Sequence, residues 1–168
     1  LFRSAFVKEG DGDLEPLPDL PLSPHPNYVT PRGFAALQSR LRALQTTLQA
    51  LKSRAERLDK LPEAAAERDI RYVEARLRSA IVIDPTTHPL GEVAFGLAVT
   101  VADDHGHTTT YEITGEDEAD ATLCRIAPQS PLARALIGAQ LGDVVLWRKP
   151  SGPISLEIIG IAHADQTA

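Results

Sequence analysis

The sequence predicts an α+β protein, an antiparallel helical hairpin of coiled-coil type followed by an antiparallel sheet domain with one short helix. Three observations carry that expectation. Between Phe34 and Ile81 the apolar positions recur at alternating spacings of three and four, the stripe of a helix packed on a helix. Beyond Asp84-Pro85 the period changes to two, as strands with one face on a core require. Between these regimes stands a run of breakers, Asp84-Pro85, His88-Pro89 and Gly91, which marks a domain boundary.

Composition limits the alternatives. A chain of 168 residues that is 43% hydrophobic can bury a modest core in one ordinary domain or two small ones. No apolar run approaches the roughly 20 residues that span a bilayer, and no basic-then-apolar leader opens the chain, so a cytoplasmic protein is expected. The single cysteine, Cys124, cannot form an internal disulfide, in keeping with a reducing compartment. The net charge of −6 is unevenly spread: −3 over residues 1–30, +5 over 31–82 and −8 over 83–168. A basic middle beside an acidic end points to one part that faces phosphate or acidic protein; the plainer reading is a solvated helix surface.

Residues 1–29 carry five prolines between Pro16 and Pro26 and five acidic residues, and form a flexible or extended arm. Within it Phe2, Phe6 and Val7 hint at docking, possibly onto the chain's own body. The hairpin is assigned to residues 30–84. Thr30-Pro31 supplies a cap and a first-turn proline, and Phe34, Leu37, Leu41, Leu44, Leu48, Leu51, Ala55 and Leu58 form the first seam. The stretch ERLDKLPEAAAERD, residues 56–69, is the bend. There Asp59 can cap the second helix, Pro62 sits in its first turn, and Glu63 and Glu67 lie at its positive end. Ala66, Ile70, Val73, Leu77 and Ile81 make the second seam. At about 1.5 Å per residue the pair projects roughly 35–40 Å.

Residues 85–168 form the sheet domain. In VAFGLAVTVA the odd positions Val93, Phe95, Leu97, Val99 and Val101 are large and apolar. A turn at 103–107 leads into TTTYEIT, then a short strand from Leu123 to Ile126, a helix from Pro131 to Ile137 capped by Ser130, and strands over Val144–Arg148 and Ile154–Ile161.

Four blocks resemble one known family. SPLARALIGAQLGDVV, residues 130–145, closely resembles the C-terminal signature of the bacterial Gre transcript-cleavage factors, GreA and GreB. YEITGEDEAD at 111–120, NYVTPRGFAALQSRL at 27–41 and RYVEARLRSAIVID at 71–84 are similar to further segments of that family, in the same order. The resemblance implies a globular domain of FKBP-like topology that docks on RNA polymerase core at the rim of its secondary channel. It also implies a coiled coil that enters the channel. Acidic tip residues there help to hold a second Mg²⁺ in the polymerase's own active centre, so that the polymerase, not the factor, cuts the RNA. No intrinsic cofactor, no membrane partner and a monomer are implied.

The tip departs from the family pattern. The family places two carboxylates three apart and follows the second with asparagine; here Asp59 and Glu63 are four apart and alanine follows. The hairpin is also shorter by roughly 16 residues, which leaves the tip about 12 Å short, whereas a ligand must lie within about 2.1 Å of Mg²⁺. The expectation is a secondary-channel regulator that stimulates cleavage weakly or not at all. A fully active factor using Asp59 and Glu63 stays open as the alternative. From another class comes an FKBP-like peptidyl-prolyl isomerase or chaperone, against which stands the shortage of pocket aromatics, Phe95, Tyr111 and Trp147 alone.

Other candidates follow from charge and position. Arg40, Arg42, Lys52, Arg54, Arg57, Arg68, Arg71, Arg76 and Arg78 lie off the seams and make a basic stripe, with weak, salt-sensitive contact to RNA in the channel. By resemblance, Gln129, Ser130, Pro131 and Arg134 dock on the polymerase, while helix capping alone explains Ser130-Pro131 equally well. His105 and His107 flank Gly106 beside Asp103 and Asp104, too sparse a set for a metal site and better read as a solvated turn. Cys124 reads as a small buried hydrophobe in a strand.

Overall fold

The computed structural model describes residues 15–166; the docking expected of Phe2, Phe6 and Val7 lies outside them. Helix α1 (Pro31–Lys52) starts as its sequence dictates. Thr30 is extended, its hydroxyl accepts from the Gly33 N–H, and Pro31 fills the first turn. Its end comes earlier than the heptad pattern implies. Ser53 closes the helix through its N–H and hydroxyl, both donated to the Gln49 carbonyl, and residues 53–60 are irregular. Ala55 and Leu58 therefore leave the seam, and Leu58 is 93% exposed. The reason lies opposite: Pro62 has no N–H to give the carbonyl four residues before it and its ring would clash there, so it fits only the first turn; helix α2 (Leu61–Ser79) reaches back no further, and nothing covers Leu58.

Asp59 does not cap α2. The cap position is Lys60, without a side-chain bond, and the Asp59 carboxylate accepts from the Leu61 N–H at 2.9 Å as an Asx-turn. Between the two helices Leu37 and Val73 are buried together with Val29, and Phe34, Leu41, Leu44, Tyr72 and Leu77 pack around them. At the N-terminal end of α2 Glu63 is buried beside two small residues, Ala64 and Ala66.

The second seam also stops early. Ile81 belongs to strand β2 (Ile81–Val82), which pairs in parallel with β1 (Tyr28–Val29), Tyr28 against Ile81 and Val29 against Val82. Ile81 is 48% exposed. This two-stranded clamp ties the chain just before α1 to the chain just after α2, and side-chain periodicity gives no sign of it because it is made by backbone.

After a 3₁₀ turn at Pro85–Thr87 capped by Asp84, five strands form one sheet: β3 (Leu97–Ala102), β4 (Thr108–Ile113), β5 (Arg125–Ile126), β6 (Val144–Lys149) and β7 (Gly152–His163). Their order is β5-β4-β3-β7-β6. Three pairings are antiparallel as expected, and the fourth, β4 with β5, is parallel. The core is Val93, Val99, Val101, Ile113, Leu132, Leu136, Leu156 and Ile158, closed by helix α3 (Pro131–Leu136).

Two expectations fail locally in the sheet. The strand drawn from Val93 begins only at Leu97, because Gly96 turns the chain at φ +84° and packs its α-carbon against Pro85, 2.6 Å from where a β-carbon would stand. Leu123 lies in a 3₁₀ turn capped by Asp120, and Cys124 follows in the left-handed region at φ 54°. Cys124 is half-buried and outside any strand.

Candidate functional site

The free end of the helix pair carries the two carboxylates singled out in sequence, and each has its own partner. Glu63, 5% exposed, receives the Arg57 guanidinium in bidentate fashion, Nε at 2.8 Å and a second nitrogen beside it. Arg54 stands 3.9 Å away. The hydrogen bonds from Arg57 hold the Glu63 carboxyl below the ordinary carboxylate range against the opposing effect of its burial, and the charges of Arg57, Arg54 and Lys52 add to them. Asp59 turns instead to Leu61 N–H, and its own carbonyl accepts from Arg54 at 3.2 Å. Lys52 pairs with Glu67 at 2.8 Å.

The stripe residues scatter. Arg40 lies over the Tyr72 ring, 5.8 Å from its centre. Arg42 donates to Ser39, and Arg68 to its neighbour Asp69 at 2.8 Å. Arg71 is held by the arm, through Asp19 at 2.6 Å and the Leu17 carbonyl at 2.8 Å. Arg78 is exposed. Arg76 is not on the surface: it is 3% exposed, because a loop of the sheet domain rises to meet it.

That loop, Gly115–Glu118, is the feature sequence reading missed. Arg76 donates to Asp117 at 2.6 Å and reaches Glu116 at 3.5 Å. Across the pair Arg32 donates to Glu118 at 2.6 Å and also pairs with Glu112, while Thr30 Oγ1 donates to the same Glu118 at 2.6 Å. Tyr72 donates to Asp117 at 2.6 Å. Burial and then this bond push the Tyr72 hydroxyl up to about 12. Gly115 lets the loop pass: a β-carbon there would stand 2.6 Å from the Tyr28 carbonyl oxygen. A signal was present, since three consecutive acids after a strand need partners and Arg32 and Arg76 lie at the two helix roots.

In the sheet domain Ser130 caps α3, its Oγ accepting from Ala133 N–H at 3.3 Å. Pro131 and Arg134 are exposed, and Gln129 is half-buried with its Oε1 unpartnered. Beside them opens an apolar cleft of about 330 Å³ lined by Tyr111, Cys124, Ile126, Pro131, Leu132 and Trp147. Phe95 is elsewhere, against Tyr28 at 6.0 Å. In the 103–107 turn one Asp103 oxygen accepts the N–H groups of both His105 and His107 at 2.9 Å, so that carboxylate serves the turn. Among the described residues no group of three or more His, Cys, Asp or Glu is placed to hold a metal, and no helix is long and apolar enough to cross a membrane.

A helix pair locked by ion pairs onto an α+β sheet domain, with its far end free, defines a class of protein that presents a helical projection from a globular base. Residues 87–163 match the family model described as transcription elongation factor, GreA/GreB, C-terminal. A transcription elongation factor GreA of Psychrobacter sp. is 36% identical over 152 residues, covering 80% of this chain and 96% of that protein. The GreA of Pseudomonas putida KT2440 is 41% identical over 103 residues, 60% of this chain, and the chain spans 64% of that relative's length. The solved GreA/GreB of Nitrosomonas europaea overlaps at a TM-score of 0.41 with 20% identity, over 81% of this chain and 98% of that one, too loosely to argue from. The chain belongs to the GreA/GreB family of transcription elongation factors.

Proposed function

We propose that this protein binds RNA polymerase core at the secondary channel, with the helix pair acting as a short antiparallel coiled coil inside it, and regulates elongation with little or no stimulation of transcript cleavage. The observation that carries this reading is the engagement of Glu63 by Arg57. A carboxylate already matched by a guanidinium, with a second guanidinium near it, does not fit a divalent cation, which needs free oxygens. Asp59 serves a backbone turn four residues away. A Mg²⁺ shared with the polymerase active centre is therefore not assigned to this tip.

The remaining parts take the roles that the family resemblance implies. The sheet domain, FKBP-like in topology, docks through the face bearing Gln129, Ser130, Pro131 and Arg134. The factor acts as a cytoplasmic monomer, and through the polymerase rather than as an enzyme by itself. Arg40, Arg42 and Arg68 offer no more than weak contact to RNA. An isomerase reading is disfavoured because Phe95 is absent from the cleft that Tyr111 and Trp147 line.

Co-purification with polymerase core and a cleavage assay on backtracked complexes test the proposal together. Binding with cleavage near the factor-free level is expected. Strong stimulation that disappears in Asp59→Ala or Glu63→Ala makes the protein a full cleavage factor and overturns it. Turnover of a prolyl peptide substrate without polymerase binding selects the other class.

A further inference from the structure

The Pro-rich arm precedes the four family-like blocks, yet its described part is bound to the body at two places. Asp19 and the Leu17 carbonyl hold Arg71 near the middle of α2. Ser23 Oγ donates to Glu116 of the root loop at 2.8 Å. The arm thus runs back along α2 from its root to Arg71, eight residues before Ser79, or about 12 Å. It lies over the face formed by Arg71, Glu74, Ala75 and Arg78, spaced three and four apart.

We infer that residues 17–23 are a strap that competes in cis with an acidic protein surface of the polymerase for this face of α2; the inference rests on the channel-binding reading above. In the closed chain the strap supplies what such a surface would offer Arg71, a carboxylate and a backbone carbonyl. A peptide-like competitor fits better than a nucleic acid, because the one aromatic there, Tyr72, is pinned by Asp117 and covered by Arg40 and offers no stacking platform. A rod of two helices that carries the strap halfway along its length is also thicker than the bare pair, so entry into a narrow pore favours its release.

The attachment is built to exchange. Both partners of the Arg71–Asp19 pair are open to water, at 38% and 75% side-chain exposure, which makes the pair weak and salt-sensitive. Beneath the strap a cleft of about 440 Å³ is left by Leu20 and Leu22, and Leu22 is 53% exposed. The strap is laid on α2 without being packed into it.

Two measurements on the full chain test this. In the first, affinity for polymerase core is compared at low salt for the unaltered protein, Asp19→Ala, Arg71→Ala and the double variant. Asp19→Ala is expected to bind roughly two- to fivefold more tightly, Arg71→Ala more weakly, and Asp19→Ala to add nothing in the Arg71→Ala background. Unchanged or weaker binding by Asp19→Ala overturns the strap. Tightening seen only with a single-stranded RNA oligonucleotide overturns the acidic-protein competitor. The second uses a spin label on Leu22→Cys in a Cys124→Ser chain. It should broaden the Ala75 and Arg78 amide signals, with relief in Asp19→Arg, and no broadening removes the strap itself. If no variant binds polymerase while the label still reports the contact, the channel-binding reading fails and the competition inferred here falls with it, leaving only the attachment.

Discussion

Arg76 donates to Asp117 across the junction of the two halves at 2.6 Å, with the arginine 3% exposed and the aspartate side chain 11%. A charge taken this far from water needs its partner. Asp117→Ala leaves the guanidinium with Glu116 alone at 3.5 Å, and the expected loss is about 3 kcal/mol in urea unfolding. Arg76→Met combined with Asp117→Ala should cost less than the two single changes added together, since the residues share one interaction.

Leu37 and Leu58 occupy equivalent places in the heptad pattern but differ in burial, 4% against 93% exposed. Leu37→Ala should cost about 2–5 kcal/mol through lost burial and the cavity left behind. Leu58→Ala should stay within about 0.5 kcal/mol. Thermal and denaturant midpoints for the two variants check this directly.

The Glu63 carboxyl is held below its ordinary value chiefly by hydrogen bonds from Arg57. An acid whose folded pKa is depressed contributes stability that is complete above its unfolded value, about 4.3, and is lost as pH falls through the lower folded value. A carboxyl-carbon NMR titration should place Glu63 below the ordinary glutamate value, and Arg57→Ala should move it back up.

Tyr72 titrates at the other extreme, up to about 12, because it is partly buried and then because it donates to Asp117. Its unfolded value is about 10. A raised acid contributes stability that is whole below the unfolded value and declines as pH rises through the folded one. Alkaline absorbance titration should show Tyr72 late, with Tyr111, which burial also raises, on the late side as well, and Asp117→Ala should bring the Tyr72 step earlier.

Gly115 carries no side chain because Tyr28's carbonyl passes within reach of any β-carbon, 2.6 Å away. Gly115→Ala should destabilise by about 1–3 kcal/mol, the usual result of overpacking against backbone that cannot move aside. A downward shift of the unfolding midpoint is the measurement.

Much of the architecture was legible in the residue order. The Thr30-Pro31 start of α1, the Ser130-Pro131 start of α3 and the alternation through Leu97, Val99 and Val101 are local instructions, and the structure follows each. The ends of the helices were less legible. A heptad pattern records only that a residue is apolar, whereas the seam closes only where a facing residue exists, and Pro62 removes the one that Leu58 needs.

By itself the sequence determined the two regimes, helical then sheet, and the separation of basic from acidic charge, because periodicity, capping and composition act within a few residues of themselves. Only the tertiary structure decided which charges meet. Arg76 went to Asp117, Arg32 to Glu118 and Arg71 to Asp19. Those choices fix whether a guanidinium is a surface feature or a buried tie, and they depend on segments brought together by packing, which no spacing along the chain encodes.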